Sequence, residues 1–153
     1  MSEYQVRPVA SADVAEMRAA LLWGAGEADD DPPWLAEEDL DILHVGGYRD
    51  GRLAGFATIA RRRAPGVPEP NSWRILGIGV EHGHRGYGLG AMLAHRCLDH
   101  AAARGARLVW CKTPAAAYGF FEHLGFRRRG QPFEAPGAGP HYVMMAEFVA
   151  PGS

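Results

Sequence analysis

The residues best suited to chemistry form the stretch Arg85-Gly86-Tyr87-Gly88-Leu89-Gly90-Ala91, which follows an apolar run and leads into a helical pattern. The backbone N–H groups that begin a helix have no partner inside it, and they lie at the positive end of the helix dipole. Glycines let an anion approach these N–H groups, and Arg85 adds a positive charge. The stretch therefore predicts a phosphate site, although a glycine-rich turn without a ligand has the same pattern.

Two other phosphate-binding loops do not fit this stretch. A dinucleotide loop needs the spacing Gly-x-Gly-x-x-Gly, whereas the glycines here lie at 86, 88 and 90. A nucleoside triphosphate loop needs Lys followed by Ser or Thr after its last glycine, where this chain has Ala91 and Met92. Both ligand classes are therefore disfavoured.

Cysteine and histidine spacing predicts no metal site. Cys97 and Cys111 form no CxxC pair, and the seven histidines show no HExxH pattern and no clustering with the cysteines. We expect both cysteines to be buried small residues of a protein in a reducing compartment.

Length and composition indicate one ordinary globular domain. The 153 residues carry no repeat, low-complexity tract or long linker, which predicts a single domain over residues 1–153. A hydrophobic content of 47% and a formal net charge of -2 argue against a disordered or nucleic-acid-coating chain. No signal-peptide pattern is present, and no apolar run approaches the ~18–20 residues that cross a bilayer. We predict a cytoplasmic protein that partners neither nucleic acid nor membrane.

Alternating strands and helices must position the glycine stretch. "YQVRPV" predicts a strand, "SADVAEMRAALLW" a helix, and "ILHVGGYRDGRLAGFATIARRR" a hairpin that turns at Asp50-Gly51. "WRILGIGV" predicts the strand before the glycines. The helix after them should end at Gly105. Its predicted buried face consists of Leu89, Leu93, Cys97 and Ala101.

The rest of the chain continues this alternation. "ARLVWC" predicts a short buried strand, and "TPAAAYGFFEHLG" a helix with Thr113 as N-cap, Pro114 in its first turn and Gly125 at its end. "FRRRGQPFEA" and "HYVMMAEFVA" predict two closing strands. This order of elements predicts a mixed α/β sheet with helices on both faces.

Two motifs in this order resemble the GNAT superfamily of N-acetyltransferases. The stretch from Arg85 to Gly90 matches the family's Arg/Gln-x-x-Gly-x-Gly/Ala, and "FFEHLGF", from Phe120 to Phe126, matches its "FYxxxGF". The hairpin and the closing strands fit as well, so the resemblance covers nearly the whole chain. It implies an α/β (α+β) fold with a single mixed, mostly antiparallel sheet of about seven strands. Two splayed parallel strands of that sheet would bind acetyl-CoA.

The resemblance also implies where acetyl-CoA, a co-substrate needing no metal, would bind. Its pyrophosphate would lie on the backbone amides from Arg85 to Ala91. Its pantetheine arm would pair with Gly79 and Val80, while the Ile78 N–H polarises the thioester carbonyl. The implied cofactor residues are Ile78, Gly79, Val80, Arg85, Gly86, Tyr87, Gly88, Leu89, Gly90, Ala91 and Phe121.

The proton donor departs from the family pattern. The family often has a tyrosine placed to protonate the leaving sulfur, where this chain has Phe121. Tyr118 and Tyr142 are the catalytic candidates, although each also fits a half-buried packing role. A thiolate of CoA is in addition a tolerable leaving group without an acid. The alternatives for a base, besides ordered water, are Glu81, His84, Glu122, His123 and His141.

Residues 24–41 bear on the acceptor. They include eight carboxylates and Trp34, which would attract a cationic amine if they roof the cleft as in the family. A solvated loop has the same composition.

We expect an N-acetyltransferase in which a primary amine of a small molecule attacks acetyl-CoA directly. The alternatives are a non-catalytic acyl-CoA-binding or sensing domain and a protein or peptide N-acetyltransferase. A homodimer is compatible with the resemblance, since dimerisation is common among such small folds.

Overall fold

The computed structural model describes residues 3–21, 41–135 and 139–148, which form one seven-stranded sheet with three α-helices. Residues 22–40 lie outside this part of the chain, and with them nearly all of the acidic segment predicted over 24–41, including Trp34. The strands are β1 (Gln5–Val9), β2 (Ile42–Arg49), β3 (Arg52–Arg61), β4 (Ser72–Val80), β5 (Leu108–Pro114), β6 (Arg127–Ala135) and β7 (Gly139–Glu147). The helices are α1 (Ser11–Leu21), α2 (Leu89–Ala103) and α3 (Tyr118–His123).

The sheet is mixed and mostly antiparallel, as predicted. Its strand order is β1-β2-β3-β4-β5-β7-β6, and β4 with β5 is the parallel pair among the described strands. The predicted hairpin joins β2 to β3 through Asp50 and Gly51, whose φ angles of 53° and 78° suit a turn with two left-handed residues.

Helices pack on both faces of the sheet, which confirms a second prediction. Phe56 and Gly79 are partners across β3 and β4, and a Cβ built on Gly79 would lie 2.9 Å from a Leu21 methyl carbon of α1. A Cβ on the neighbouring Gly55 would instead lie 3.2 Å from a Leu89 methyl carbon of α2. Adjacent residues of a strand point to opposite faces, so we call these the α1 face and the α2 face.

The main hydrophobic core lies under α2. Leu89, Leu93, Cys97 and Ala101 are buried on the face of α2 that the residue spacing predicts. The chain leaves this helix through Gly105, whose φ of +79° is typical of the residue after a helix C-terminus.

The start of α3 differs from the prediction. Thr113 and Pro114 are not the N-cap and first turn of a helix, because both belong to β5 and pair with β7. A 3-10 turn over Ala115–Ala117 follows, and α3 begins only at Tyr118. The end agrees with the prediction, since Gly125 has a φ of +96°. Pairing with a distant strand therefore outweighed the local helix-start signal.

β4 separates from β5 halfway along its length. The two strands pair only over residues 72–75 and 108–111. Thr58 of β3 pairs with Gly77 while Ile59 pairs with Ile75, so Leu76 is an extra residue that forms a β-bulge in β4. A bulge bends its strand, and the separation starts at this point. We call the space between residues 76–80 and 112–114 the strand gap; it corresponds to the predicted splaying of the parallel strands.

Gly79 carries a clear packing requirement that can be tested. A Cβ at this position would lie 2.6 Å from Cε1 of Phe56 and 3.2 Å from Cβ of Leu21. We expect Gly79→Ala to lower the free energy of unfolding by about 1–3 kcal/mol, the usual cost of overpacking. Urea denaturation measures the change. Gly83→Ala is the matched control, because no atom lies within 4 Å of that Cβ, and equal stability of the two variants would contradict this account.

Candidate functional site

The strand gap opens into a cavity of about 990 Å³. On the α2 face its lining includes Ile78 and Val80 of β4, Leu89 of α2 and Phe121 of α3. These side chains also pack on the main core, so the wall of the cavity is continuous with the rigid interior.

Register places other lining residues on the α1 face. Ala60 lies four residues after Phe56 in β3 and therefore shares its face; its partner in β4 is Arg74. Arg74 pairs in turn with Trp110 of β5, so Lys112, two residues further, also lies on the α1 face. Arg74 and Lys112 both line the cavity. The cavity therefore passes through the sheet from one face to the other.

The α1 face of the cavity extends to the last two strands. Pro114 follows Lys112 by two residues and pairs with His141, which pairs with Phe133 of β6. His141 and Phe133 line the cavity, as does Leu21 at the end of α1. Arg74, Lys112 and Phe133 had not been predicted as site residues. Only strand pairing between distant segments reveals them.

The edge of β4 that faces the strand gap carries backbone groups that β5 does not satisfy. The Glu81 N–H donates to the Ala54 carbonyl of β3 at 2.9 Å. Alternation along the strand then turns the N–H and C=O groups of Ile78 and Val80 away from β3, toward the gap. Those of Gly79 face β3, so the predicted pairing of the pantetheine arm through Gly79 does not fit this geometry. The Arg85 side chain donates from Nε to the Val80 carbonyl at 3.0 Å, which fixes this arginine at the end of the gap.

The glycine stretch forms an open turn before α2. Gly86 and Gly88 have φ angles of +87° and +86°, and nothing lies within 4 Å of a Cβ built on either residue. The first helical bond runs from the Met92 N–H to the Gly88 carbonyl at 3.1 Å. The N–H groups of the preceding first-turn residues therefore lack a partner within the helix. This open, electropositive turn fits a phosphate group.

Gly90 is glycine for a different reason. A Cβ there would lie 3.2 Å from Cε1 of Phe120, so the missing side chain allows α3 to pack against the start of α2. We had predicted that this glycine, like its neighbours, admits an anion. The structure adds a packing role that motif spacing alone could not indicate.

The cavity brings together all but one of the predicted cofactor residues. The members that line it are Ile78, Gly79, Val80, Arg85, Gly86, Gly88, Leu89, Gly90, Ala91 and Phe121. Tyr87 is not among the lining residues; it is 58% exposed, with the Arg49 guanidinium 5.7 Å from its ring centre.

The two predicted catalytic tyrosines contact each other. The rings of Tyr118 and Tyr142 are half-buried and meet edge to face at 5.1 Å, and neither residue lines the cavity. Phe121, which occupies the family's tyrosine position, is buried between Phe120 and Phe126 at centroid distances of 5.2 and 5.4 Å. This placement favours the packing role for both tyrosines.

Two of the five candidate bases line the cavity. Glu81, Glu122 and His123 are exposed and lie outside its lining. His84 lines the cavity near the glycine turn, where its Nδ1 is hydrogen-bonded to the Tyr4 hydroxyl at 2.8 Å. His141 lines the α1 face of the cavity and is only 4% exposed.

The charged side chains among the described lining residues are basic. They are Arg74, Arg85 and Lys112, and no carboxylate of the described chain lines the cavity. The guanidinium of Arg74 lies 4.9 Å from the ring centre of Trp110. The predicted attraction of a cationic amine to carboxylates therefore depends on residues 22–40, which lie outside the described part of the chain.

Both cysteines are buried, as predicted. Burial raises the pKa of the Cys97 thiol and of the Cys111 thiol to about 12. Cys111 lines the cavity, but such a thiol is a poor nucleophile.

Within residues 3–21, 41–135 and 139–148, no group of three His, Cys, Asp or Glu side chains is arranged to hold a metal ion. In the same part of the chain, no helix has the length and apolar character to cross a bilayer.

Comparison with known proteins agrees with this geometry. The family model for the acetyltransferase (GNAT) family matches residues 12–126. An uncharacterized N-acetyltransferase of Bacillus subtilis (strain 168), YitI, is 31% identical over 102 residues, which make up 67% of this chain and 68% of that protein.

Two solved structures share the fold. One is yncA of Salmonella typhimurium, solved with its cofactor acetyl-CoA: it is 20% identical, with a TM-score of 0.72 and 99% of each chain covered. The other is the PaiA N-acetyltransferase of Thermoplasma acidophilum in complex with coenzyme A, 15% identical, with a TM-score of 0.67 over 95% of this chain and 99% of that one.

The raised thiol pKa values predict that the folded protein resists alkylation. At about pH 8 both thiols remain protonated, because alkylation needs the thiolate and the folded-state pKa lies well above that pH. Intact-protein mass spectrometry after iodoacetamide treatment should show no adduct on the native protein and two adducts in denaturant. Rapid modification of Cys111 in the native protein would contradict the burial described here.

Proposed function

Because this chain belongs to the acetyltransferase (GNAT) family, we propose that it transfers the acetyl group of acetyl-CoA to a primary amine of a small molecule. The chain is accordingly an acetyl-CoA-dependent acetyltransferase; the acceptor and the residue roles below are the proposal. The main support for this proposal is the strand gap, which connects the open glycine turn to the part of the cavity lining that lies on the α1 face.

The glycine turn suits the pyrophosphate of acetyl-CoA. The left-handed Gly86 and Gly88 leave open space above backbone N–H groups at the positive end of α2. Arg85 is held beside them by its bond to the Val80 carbonyl, so its remaining guanidinium N–H groups can reach an anion.

The exposed edge of β4 suits the pantetheine arm. An amide-containing chain can pair with the N–H and C=O groups of a strand edge as an added strand would. Ile78 would then present its N–H to the thioester carbonyl. A fixed donor at that point stabilises the negative charge that develops on the carbonyl oxygen when an amine attacks.

The acceptor would enter from the α1 face. The cofactor residues occupy the α2 face and the strand gap, so the opposite wall, with Arg74, Lys112, Phe133 and His141, remains for the amine. The thioester between them would be attacked directly, without an acetylated enzyme residue. The protonated state of the Cys111 thiol agrees with this direct route.

The reaction as proposed needs no proton from a tyrosine. Phe121 has none to give, and neither Tyr118 nor Tyr142, whose rings contact each other, lines the cavity. The two tyrosines stay predicted proton donors without geometric support. The homodimer and the cytoplasmic location also stay predictions.

One observation favours a second candidate, a non-catalytic acyl-CoA-binding or sensing domain. Phe121 occupies the position of the family's usual acid, and a phenylalanine has no hydroxyl proton to donate. Such a domain would bind acetyl-CoA without releasing thiol. A protein or peptide acetyltransferase is the other alternative, and it would prefer peptides to free amines.

The decisive test is thiol release from acetyl-CoA against polyamines, amino acids, aminoglycosides, arylamines and short peptides. We expect turnover with one class of free amine. Gly88→Val should abolish it, since a β-branched residue cannot adopt the left-handed φ of +86° without strain. Binding of acetyl-CoA without release by any amine would refute the proposal in favour of the sensing domain.

Charge reversal at Arg85 tests the cofactor position separately. Arg85→Glu removes a charged hydrogen bond and puts a carboxylate beside the phosphates, so acetyl-CoA affinity should fall by about 1.5–3 kcal/mol, roughly tenfold to 150-fold in Kd. Isothermal calorimetry gives the value. Arg63→Glu, an equal charge change at an exposed residue outside the cavity, should leave Kd unchanged. Unchanged affinity in Arg85→Glu would show that the cofactor binds elsewhere.

A further inference from the structure

We propose that His141 is the general base that takes a proton from the amine acceptor. This inference rests on the proposed function and adds to it a catalytic residue. Three independent features of His141 support it, namely its position, the direction of its hydrogen bond and an unpartnered ring nitrogen.

The position of His141 is on the acceptor side. Its register partners are Pro114 and Phe133, which place it on the α1 face of the cavity, away from the cofactor residues. The ring centres of Phe133 and His141 lie 5.8 Å apart, so the two side chains contact each other on this face. His84, the other histidine of the lining, lies beside the glycine turn instead.

The hydrogen bond of His141 determines which ring nitrogen carries the proton. Nδ1 lies 3.1 Å from the Gly139 carbonyl oxygen, and a carbonyl can only accept. Nδ1 is therefore the N–H donor. In the neutral ring this leaves Nε2 with a free lone pair, which is the state that a base requires.

Nε2 of His141 is buried and has no hydrogen-bond partner in the described part of the chain. A buried polar atom without a hydrogen-bond partner destabilises the fold, so such atoms need an explanation. His141 lines the cavity, so an acceptor ammonium that reached Nε2 from there would supply the missing donor. The proposal therefore assigns this nitrogen to the acceptor.

The charged side chains that β4, β5 and β6 present near His141 on the α1 face are basic. On the α1 face, β5 presents Lys112, β4 presents Arg74 and β6 presents Arg129, while α1 contributes the uncharged Leu21. No carboxylate of the described chain lines this cavity, so among the described lining residues His141 is the side chain of the α1 face whose neutral form offers a nitrogen lone pair.

The proton balance is complete. Nε2 removes one proton from R–NH₃⁺, and the freed lone pair forms the N–C bond to the thioester carbon. The C–S bond then breaks, and a second proton from nitrogen goes to the departing sulfur, which gives the amide and CoASH. The proton on Nε2 returns to solvent, so the cycle consumes no other reagent.

The test compares His141→Gln with the unmodified protein over the pH range, using the aliphatic amine of the panel with the highest kcat/KM. Loss of a general base should lower kcat/KM by about 10²-fold or more near neutral pH. The deficit should shrink as the pH rises toward about 10, because an aliphatic amine then loses its proton without help. His95→Gln, at an exposed position outside the cavity, should match the unmodified protein.

Two outcomes of this comparison overturn the inference. A deficit that is the same at every pH would mean that His141 only positions the acceptor, and no deficit would mean that it has neither role. Absence of turnover in the unmodified protein would refute the proposed function instead. ¹⁵N NMR of the unmodified protein tests the inference even if no amine turns over or the variant misfolds. A neutral His141 ring that carries its proton on Nε2 rather than Nδ1 would show that His141 is not the general base.

Discussion

The separation of β4 from β5 is the constraint on which the site depends. Backbone N–H and C=O groups that leave a ladder must find water or a ligand, so an open seam within a sheet is unfavourable unless the surrounding structure maintains it. Here β3 holds β4 along its whole length, and β7 holds β5 as far as Pro114. The bulge at Leu76 bends β4 between these rigid neighbours. The cavity is thus a property of the sheet itself.

Helix packing around the strand gap requires glycine at particular positions. Gly79 lets Phe56 and Leu21 close the α1 face over β4, and Gly90 lets Phe120 bring α3 against the beginning of α2. In the glycine turn, by contrast, Gly86 and Gly88 meet no neighbour and are required by their left-handed backbone. One glycine-rich segment therefore serves two physical purposes, packing and backbone conformation.

Local signals in the sequence predicted the elements that depend on local physics. The Asp50-Gly51 hairpin, the buried face of α2 and the glycine turn all follow from turn chemistry and periodicity. Pairing between distant strands decided the rest. It drew Thr113 and Pro114 into β5, and it buried His141 opposite Pro114, where the sequence had left it one of several candidate bases. The packing of Tyr118 on Tyr142 likewise joins segments that no spacing rule connects.

The contact between Tyr4 and His84 joins the first strand region to the turn that precedes α2, 80 residues later. Arg49 adds to this connection, since its guanidinium lies 3.9 Å from the Tyr4 ring centre. Coupling between two sites is reciprocal: a ligand that orders the turn also stabilises the strand region, by the same free energy with which that region favours the ligand. Any ligand that binds in the glycine turn would therefore be linked to the folding of this N-terminal region, although the region contributes no residue to that turn.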